Sequence, residues 1–251
     1  MISDTKVVAI GGGTGLSTML KGLKLHTHNI TAVVTVADDG GSSGILRSDL
    51  GMLAPGDVRN CVSALAEVDP VMGELLNFRF KDGSLKGHSL GNLFLAALNE
   101  TSSSFDEAVK KFSHLTGVVG TVYPVTNESV TLSALLEDGR LIEGESHIGV
   151  HHDGPKNGIV KLMVNPEKPK AVDGVIKALE KADIIVLGPG SLYTSIIPNL
   201  LVDGVVDAIK KSNAVKIYVC NIMSQAGETE NYTAVSYTHL RAPETGRNLV
   251  C

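Results

Sequence analysis

Two adjacent carboxylates stand directly after a β-branched, mostly apolar run near the start of the chain. Asp38 and Asp39 follow the run at 30–37, and glycines and serines follow them at 40–44. Adjacent carboxylates in a flexible loop can hold Mg²⁺ against a diphosphate, orient a hydroxyl or bind a ribose. Asp, Gly and Ser are also ordinary turn residues, so a solvated turn is the alternative interpretation.

A glycine-rich segment, Gly11 to Gly15, predicts a phosphate-binding turn ahead of these acids. It follows an apolar run at 7–10 and precedes an apolar stripe at helical spacing. Glycines between a strand and a helix let backbone N–H groups face a phosphate without a Cβ in the way. Leu16 stands where a dinucleotide fingerprint needs its third glycine, and the P-loop lysine is missing. The alternative is a tight turn that serves packing alone.

Three later segments also place polar side chains at the start of predicted helices. In chain order they supply Asp57, Arg59 and Asn60; His88 and Asn92; and Gly188, Gly190, Ser191 and Thr194. A phosphate, sugar or metal can use such groups at a helix start. Each segment also has a structural interpretation. An acid complements the helix dipole, a hydroxyl caps the helix, and a histidine in a turn bonds the backbone.

The hydrophobic pattern predicts an α/β fold that brings these segments together. Strand, glycine loop, helix and strand at 7–37 form a βαβ unit with a buried parallel sheet. Helical spacing dominates 55–112, whereas alternation with period two predicts a β-hairpin at 130–148. Apolar runs at 183–187 and 215–220 predict two more buried strands. The sequence therefore predicts a doubly wound, Rossmann-like parallel sheet with an inserted β-hairpin, whose loops share one sheet edge.

The charge balance argues against a protein that binds the phosphate backbone of nucleic acids. The 251 residues include 27 Asp and Glu against 22 Lys and Arg, so no basic surplus exists to release counterions. Aromatic residues make up only 4% and Trp is absent, which disfavours stacking platforms for single strands. We therefore expect no nucleic-acid partner.

Several features favour a cytoplasmic protein. The uncharged stretch 184–202 is interrupted by Gly188-Pro189-Gly190, so we expect strand, loop and helix there and no membrane span. The N-terminus lacks the long apolar run and cleavage site of a signal peptide. Three scattered cysteines supply neither a disulfide framework nor a CxxC metal site, which favours a reducing compartment.

The glycine and acid segments together resemble gluconeogenesis factors of the YvcK type, which belong to the CofD-like superfamily. The resemblance rests on five ordered motifs, at 11–17, 35–44, 55–60, 87–92 and 188–196, and covers residues 6 to about 233. It implies a doubly wound fold and a cytoplasmic protein needed for normal cell shape and wall synthesis during growth on gluconeogenic carbon. It also implies binding of a UDP-sugar, notably UDP-N-acetylglucosamine, and leaves a homo-oligomer open.

The resemblance further implies roles for individual residues. The glycine loop faces the diphosphate of the ligand through Gly12, Gly13, Thr14, Gly15, Leu16 and Ser17. The metal or acceptor acids are Asp38, Asp39 and Asp57, with Asp39 and Asp57 holding Mg²⁺. The loop 188–195 is the second nucleotide contact, and the remaining expected ligand contacts are Arg59, Asn60, His88 and Asn92.

Two functions of different classes stay open at this point. One is regulatory binding of a UDP-sugar. The other is a transferase similar to CofD, which moves 2-phospho-L-lactate from a guanosine diphosphate-linked donor to a deazaflavin with Mg²⁺. Both need the same phosphate loop and the same acids, and a superfamily match does not establish catalysis.

The end of the chain departs from the rest of the sequence. Residues 234–251 carry no sustained hydrophobic period and resemble translated sequencing-adaptor sequence. We expect them to be non-native or disordered, and we expect residues 1–233 to form a single nucleotide-binding domain that is incomplete at its C-terminus.

Overall fold

A five-stranded parallel sheet forms the centre of the computed structural model, which describes residues 3–150, 157–230, 232, 233 and 236. The strands are β1 (Val7–Gly11), β2 (Ile30–Val34), β3 (Thr121–Pro124), β4 (Thr131–Leu136), β5 (Leu141–Glu143), β6 (Ile159–Asn165), β7 (Ile184–Leu187) and β8 (Val215–Tyr218). The central sheet has the order β3-β2-β1-β7-β8, and all of its strand pairs are parallel.

Helices connect and cover these strands. They are α1 (Gly13–Leu23), α2 (Gly41–Leu50), α3 (Gly56–Leu65), α4 (Pro70–Asn77), α5 (Leu90–Glu100), α6 (Phe105–Leu115), α7 (Glu145–Ile148), α8 (Asp173–Lys181), a π-helical segment at Leu192–Ile196, α9 (Ile197–Leu200) and α10 (Val205–Lys211). α1 packs on α3, and α6 packs on β3. Every residue of β1 is buried, as expected for a parallel strand covered on both faces.

The strand order confirms the predicted doubly wound sheet. The chain builds β1, β2 and β3 outward in one direction, then returns to place β7 on the other side of β1 and β8 beyond it. The order reverses between β1 and β7. In open parallel sheets, ligands bind outside the carboxyl ends of the strands at this switch point.

The predicted hairpin also forms, and a third strand joins it, although the end of the predicted range, 145–148, is helix α7. β4 pairs antiparallel with β5, and β6 pairs antiparallel with the other edge of β4. This small sheet is inserted in the chain between β3 and β7. The guanidinium of Arg47 on α2 donates to the carbonyl of Val130 at 2.8 Å and to the carbonyl of Asp38 at 3.2 Å. It therefore ties the insertion to the loop after β2.

The stretch 184–202 becomes strand, loop, π-helical segment and short helix, as expected. Within the part of the chain that the structure describes, no helix is long and apolar enough to cross a membrane. Apart from Ser236, residues 234–251 lie outside the described residues, so the expectations for them stay predictions.

Substitution of Phe112 tests the packing of the core between α5, α6 and the sheet. Its ring is fully buried and lies 5.5 Å from the ring of Phe94. Phe112→Ala should lower the free energy of unfolding by about 3–5 kcal/mol in urea titrations, because it removes buried apolar surface and leaves a cavity. Leu115→Ala on the same helix is the matched control, since Leu115 is 61% exposed and should change stability by less than about 0.5 kcal/mol. Equal effects of the two substitutions would contradict this view of the core.

Candidate functional site

The two glycine loops flank the switch point and touch each other through their backbones. The first loop follows β1 and the second follows β7. A Cβ on Gly15 would lie 2.8 Å from the carbonyl oxygen of Pro189 and 3.3 Å from the nitrogen of Gly190, so only glycine fits there. Gly13 has φ +65°, a left-handed conformation that glycine adopts without strain. Glycine is therefore favoured at two positions of the first loop for different reasons: at Gly13 by the backbone conformation, and at Gly15 by the close approach of the second loop.

The other residues of the first loop divide between site and core. The side chain of Leu16 is fully buried in the core, so only its backbone can face a ligand. The hydroxyl of Ser17 donates to the carbonyl of Thr14 at 3.0 Å within the first turn of α1. Thr14 itself is exposed. The first-turn N–H groups of α1 have no partner inside the helix and carry its positive dipole end.

Asp57 lies against this loop. A Cβ on Gly12 would lie 2.7 Å from Oδ2 of Asp57, and the N–H of Gly13 donates to the Asp57 carboxylate. Asp57 stands in the first turn of α3, where its carboxylate complements the helix dipole. Its bond to Gly13 gives it a second role. It bridges α3 to the first turn of α1.

Asp38 and Asp39 have separate roles in the loop after β2. Oδ1 of Asp38 accepts the N–H of Gly40 at 3.0 Å, while Oδ2 faces Gly56 so closely that a Cβ there would lie 3.1 Å from it. Both oxygens of Asp39 accept backbone N–H groups of α7, from Glu145 at 3.0 Å and from Ser146 at 2.8 Å. Asp39 therefore anchors the inserted sheet at the carboxyl edge of the central sheet.

This anchor brings a fourth acid to the site. Burial, together with the nearby negative charges of Asp38 and Asp57, raises the pKa of Glu145 to about 7. The Thr194 hydroxyl bonds to Glu145 and also donates to Oε1 of Glu228 at 3.0 Å. The bond with Thr194 lowers the pKa of Glu145, but burial and the neighbouring negative charges outweigh it.

A buried polar network joins three helices beside the acids. Nε of Arg59 donates to Oδ1 of Asn92 at 3.2 Å, and Nδ2 of Asn92 donates to the hydroxyl of Ser42 at 3.1 Å. The same hydroxyl lies 3.0 Å from Nδ1 of His88. All four side chains are buried. The network fixes α2, α3 and α5 relative to one another, and Asn60 lies half-buried next to Arg59.

The second glycine loop is held by a later segment of the chain. Gly188 and Gly190 have φ values of +83° and +156°. Side-chain oxygens of Gln225 and Glu228, in a later segment of the chain, accept hydrogen bonds from the start of the π-helical segment that follows this loop. The hydroxyl of Ser191 donates to Oε1 of Gln225 at 2.8 Å, and the N–H of Tyr193 donates to Oε2 of Glu228 at 2.9 Å. The start of this helix is therefore already capped by a carboxylate of the chain itself.

The sequence patterns single out neither of two residues that the structure brings to the site. Glu145 lies about 100 positions after Asp38, in a segment without a recognisable motif, and only the fold brings them together. Ser195 lies within the predicted loop at 188–195. It is buried, and its Oγ lies 3.8 Å from the position of a Cβ on Gly13. A hydroxyl that follows a glycine turn is the available signal for Ser195, whereas Glu145 has none.

The carboxylates of the site are of the type that a hard cation prefers, but too few of them are grouped to hold one by themselves. Carboxylate oxygens are the ligands that Mg²⁺ prefers, and Mg²⁺ usually takes only one or two of them together with water and phosphate oxygens. Among the described residues, no three His, Cys, Asp or Glu side chains are grouped to hold a metal ion by themselves. An ion at this edge would therefore need ligands from a bound phosphate or from water.

Fold and site together define the class of the molecule: a doubly wound α/β protein with two glycine loops and several acids at its topological switch point. The chain belongs to the CofD family, because the family model for 2-phospho-L-lactate transferase CofD matches residues 7–248. This confirms the superfamily that the motifs indicate.

Individual relatives support the same assignment. A Thermoanaerobacterium thermosulfurigenes protein is 58% identical over 93% of this chain and 72% of its own length. The gluconeogenesis factor of Bacillus subtilis is 47% identical over 92% of this chain and 72% of its own length. A crystal structure of a Bacillus halodurans protein superimposes with a TM-score of 0.93 at 45% identity, over 99% of this chain and 79% of that one. Against a longer Clostridium acetobutylicum relative, 51% identical, the chain spans only 55% of the length.

The pKa of Asp57 gives a test of the acid cluster by protein stability. Burial, together with the nearby charge of Asp38, raises this pKa from 3.8 to about 6. The folded protein therefore holds the proton more tightly than the unfolded chain does, so the free energy of unfolding should fall as pH rises from about 4 to about 6. The loss due to Asp57 should be on the order of 3 kcal/mol.

Asp57→Asn keeps an oxygen for the Gly13 N–H but does not titrate, so it should reduce this pH dependence and leave the part that is due to Glu145, whose pKa is also raised. Urea unfolding followed by circular dichroism between pH 4 and pH 8 measures it. Asp82→Asn, at an exposed position, is the control and should keep the parental slope. An Asp57→Asn protein with the parental slope would remove Asp57 from the explanation.

Proposed function

We propose that this chain binds a nucleotide diphosphate sugar of the UDP-N-acetylglucosamine type at the switch point between β1 and β7. We propose further that it acts in the cytoplasm as a regulator of cell shape and wall synthesis during growth on gluconeogenic carbon. The observation that carries the proposal is the direct backbone contact of Gly15 with Pro189 and Gly190, which joins two glycine loops at one site. The names of the relatives as gluconeogenesis factors support the link to gluconeogenic growth.

The first turn of α1 is the proposed diphosphate site. Its N–H groups and helix dipole favour an anion, and Gly13 leaves the approach free of a Cβ. The hydroxyl of Ser195 faces the same space from the second loop and can donate to a phosphate oxygen. Base and sugar would then extend along the two loops.

The carboxylates at this site create an electrostatic problem for an anionic ligand. Asp57 already accepts the Gly13 N–H, and Asp38 and Glu145 lie close to it. A diphosphate brought to the same amides adds negative charge in a half-buried setting, where charges are poorly screened. A divalent cation between carboxylate and phosphate would remove this repulsion. We propose that Asp57, with Asp38 beside it, would hold Mg²⁺ in this role, whereas both oxygens of Asp39 already accept N–H groups of α7.

A second candidate function is group transfer of the CofD type, favoured by the acid cluster and by the family. In that reaction an acceptor hydroxyl attacks the phosphorus that carries the lactate, the P–O bond to the nucleotide breaks, and a nucleoside monophosphate leaves. The acids would serve to align Mg²⁺ and the acceptor. Glu145, with its raised pKa, is the group best suited to take the proton of the acceptor hydroxyl.

Isothermal titration calorimetry of the purified chain with nucleotides, together with an assay for group transfer, separates these functions. We expect UDP-N-acetylglucosamine to bind more tightly than GDP or NAD⁺, and more tightly with Mg²⁺ than with EDTA. Tightest binding of NAD⁺, or no binding of any nucleotide, would overturn the first proposal. Release of GMP from a guanosine diphosphate-linked 2-phospho-L-lactate donor in the presence of a deazaflavin would favour the second, provided that Asp57→Asn abolishes it.

Gly13→Val tests the first loop. A branched side chain at φ +65° is strained and stands in the path of the ligand, so diphosphate affinity should fall by at least about tenfold whatever the base. Gly22→Val on the same helix is the matched control, because a Cβ there has open space around it. Circular dichroism checks that both variants fold. A folded Gly13→Val protein with parental affinity would mean that the loop is only a packing turn.

A further inference from the structure

A buried carboxylate occupies the start of the π-helical segment that follows the second glycine loop. Glu228 is only 5% exposed. Its Oε2 accepts a hydrogen bond from the N–H of Tyr193 at 2.9 Å, and its Oε1 accepts one from the hydroxyl of Thr194 at 3.0 Å. A backbone N–H and a hydroxyl after a glycine turn are donors that phosphate groups use in proteins. Glu228 therefore holds, from within the chain, the place that a second anion would need.

A neighbouring amide completes the set of donors around Glu228. Nε2 of Gln225 donates to Oε1 of Glu228 at 3.3 Å, and Oε1 of Gln225 accepts from the hydroxyl of Ser191 at 2.8 Å. These bonds to Glu228 all run toward its carboxylate, as an ionised carboxylate requires. The hydrogens of the Ser191 and Thr194 hydroxyls are both in use, so neither hydroxyl is left to donate to a ligand.

Ser195 differs from these two hydroxyls. Its Oγ has no hydrogen-bond partner within the described part of the chain, although the residue is more than nine-tenths buried. A Cβ on Gly13 and a Cβ on Gly190 would each lie 3.8 Å from this oxygen. The hydroxyl therefore stands between the two glycine loops. A buried hydroxyl without a partner is costly, so a bound group that accepts its hydrogen is favoured there.

Carboxylates flank the Ser195 hydroxyl on both sides. Glu228 lies on one side, bonded to the adjacent Thr194. Asp57 lies on the other side: a Cβ on Gly12 would be 2.7 Å from its Oδ2 and 3.6 Å from the Cβ of Ser195. A third phosphate on a nucleotide would bring more negative charge between these carboxylates, where charges are poorly screened, whereas a sugar brings none.

We propose that Glu228 determines which diphosphates this site accepts. It reserves the second glycine loop for an uncharged group, so that a diphosphate that carries a sugar binds in preference to a nucleoside triphosphate. This role rests on the proposed function, which places the diphosphate at the first turn of α1. Ser195 supplies a donor from the second loop to the phosphates. Glu228 acts through its charge and through the donors that it occupies, without touching the ligand.

Isothermal titration calorimetry with UDP-N-acetylglucosamine and with UTP, at equal free Mg²⁺, tests this role. We expect the parent chain to bind the sugar nucleotide at least about tenfold more tightly than UTP. Glu228→Gln keeps an oxygen for the Tyr193 N–H but removes the charge. UTP affinity should therefore rise about tenfold, while affinity for the sugar nucleotide should change by less than about threefold. Glu230→Gln, at an exposed position of the same segment, is the matched control and should keep the parental preference.

Ser195→Ala gives a second measurement that does not depend on Glu228. It removes a donor to the phosphates that both nucleotides share, so both affinities should fall by a similar factor, on the order of tenfold. Ser48→Ala, at an exposed serine of α2, is the control and should change neither affinity. Circular dichroism checks that each variant folds.

The outcomes separate this role of Glu228 from the proposed function. Equal affinity of the parent chain for the two nucleotides, or a folded Glu228→Gln protein with the parental preference, would overturn the role and leave the proposed function standing. Parental affinity of Ser195→Ala for both nucleotides would also overturn it, because the second loop would then not face the phosphates. Binding of neither nucleotide by the parent chain would overturn both.

Discussion

The contact between the backbone of Gly15 and the backbone of Pro189 and Gly190 is the constraint on which the site depends. It joins the turn after β1 to the turn after β7 across the point where the strand order reverses. Any Cβ at position 15 would push these loops apart, because a carbonyl oxygen lies 2.8 Å away and belongs to rigid backbone. With the loops in contact, the first turn of α1 and the hydroxyl of Ser195 face one common space.

The acids depend on this contact indirectly. Asp57 reaches the Gly13 N–H only because Gly12 has no side chain, and its carboxylate is therefore held among neighbours that disfavour its charge. Asp39 acts at the other side of the site, where it accepts two N–H groups of α7 and brings Glu145 close to Asp38. The repulsion among these carboxylates lowers the stability of the folded protein. Carboxylates with pKa values perturbed in this way are concentrated at functional sites.

A polar network supports the site from behind. Arg59, Asn92, Ser42 and His88 are all buried, and each has a hydrogen-bond partner within the network, so they position α2, α3 and α5 relative to one another. Burial still disfavours the charge of Arg59 and lowers the pKa of its guanidinium. The sequence predicts direct ligand contact for three of them, namely Arg59, His88 and Asn92. Their hydrogen bonds show that these side chains hold α2, α3 and α5 together. Direct contact with a ligand stays a prediction.

The sequence by itself determined the class of fold and the general location of the site. Short apolar runs bounded by turn residues favour buried strands, and glycines at the ends of two such runs mark turns at one edge of a parallel sheet. Local spacing therefore sufficed for the positions of β1, β2, β7 and β8 and for the hairpin at β4 and β5. The prediction that the last strand is buried was wrong, because β8 lies at the edge of the sheet and Val215 is 58% exposed. It did not decide which acids meet. Glu145 joins Asp38 and Asp57 because an inserted sheet folds back over the carboxyl edge, and the carboxylate of Glu228 caps the π-helical segment because a later segment packs onto it. Contacts across such separations follow from packing and burial of the whole chain, which no short pattern encodes.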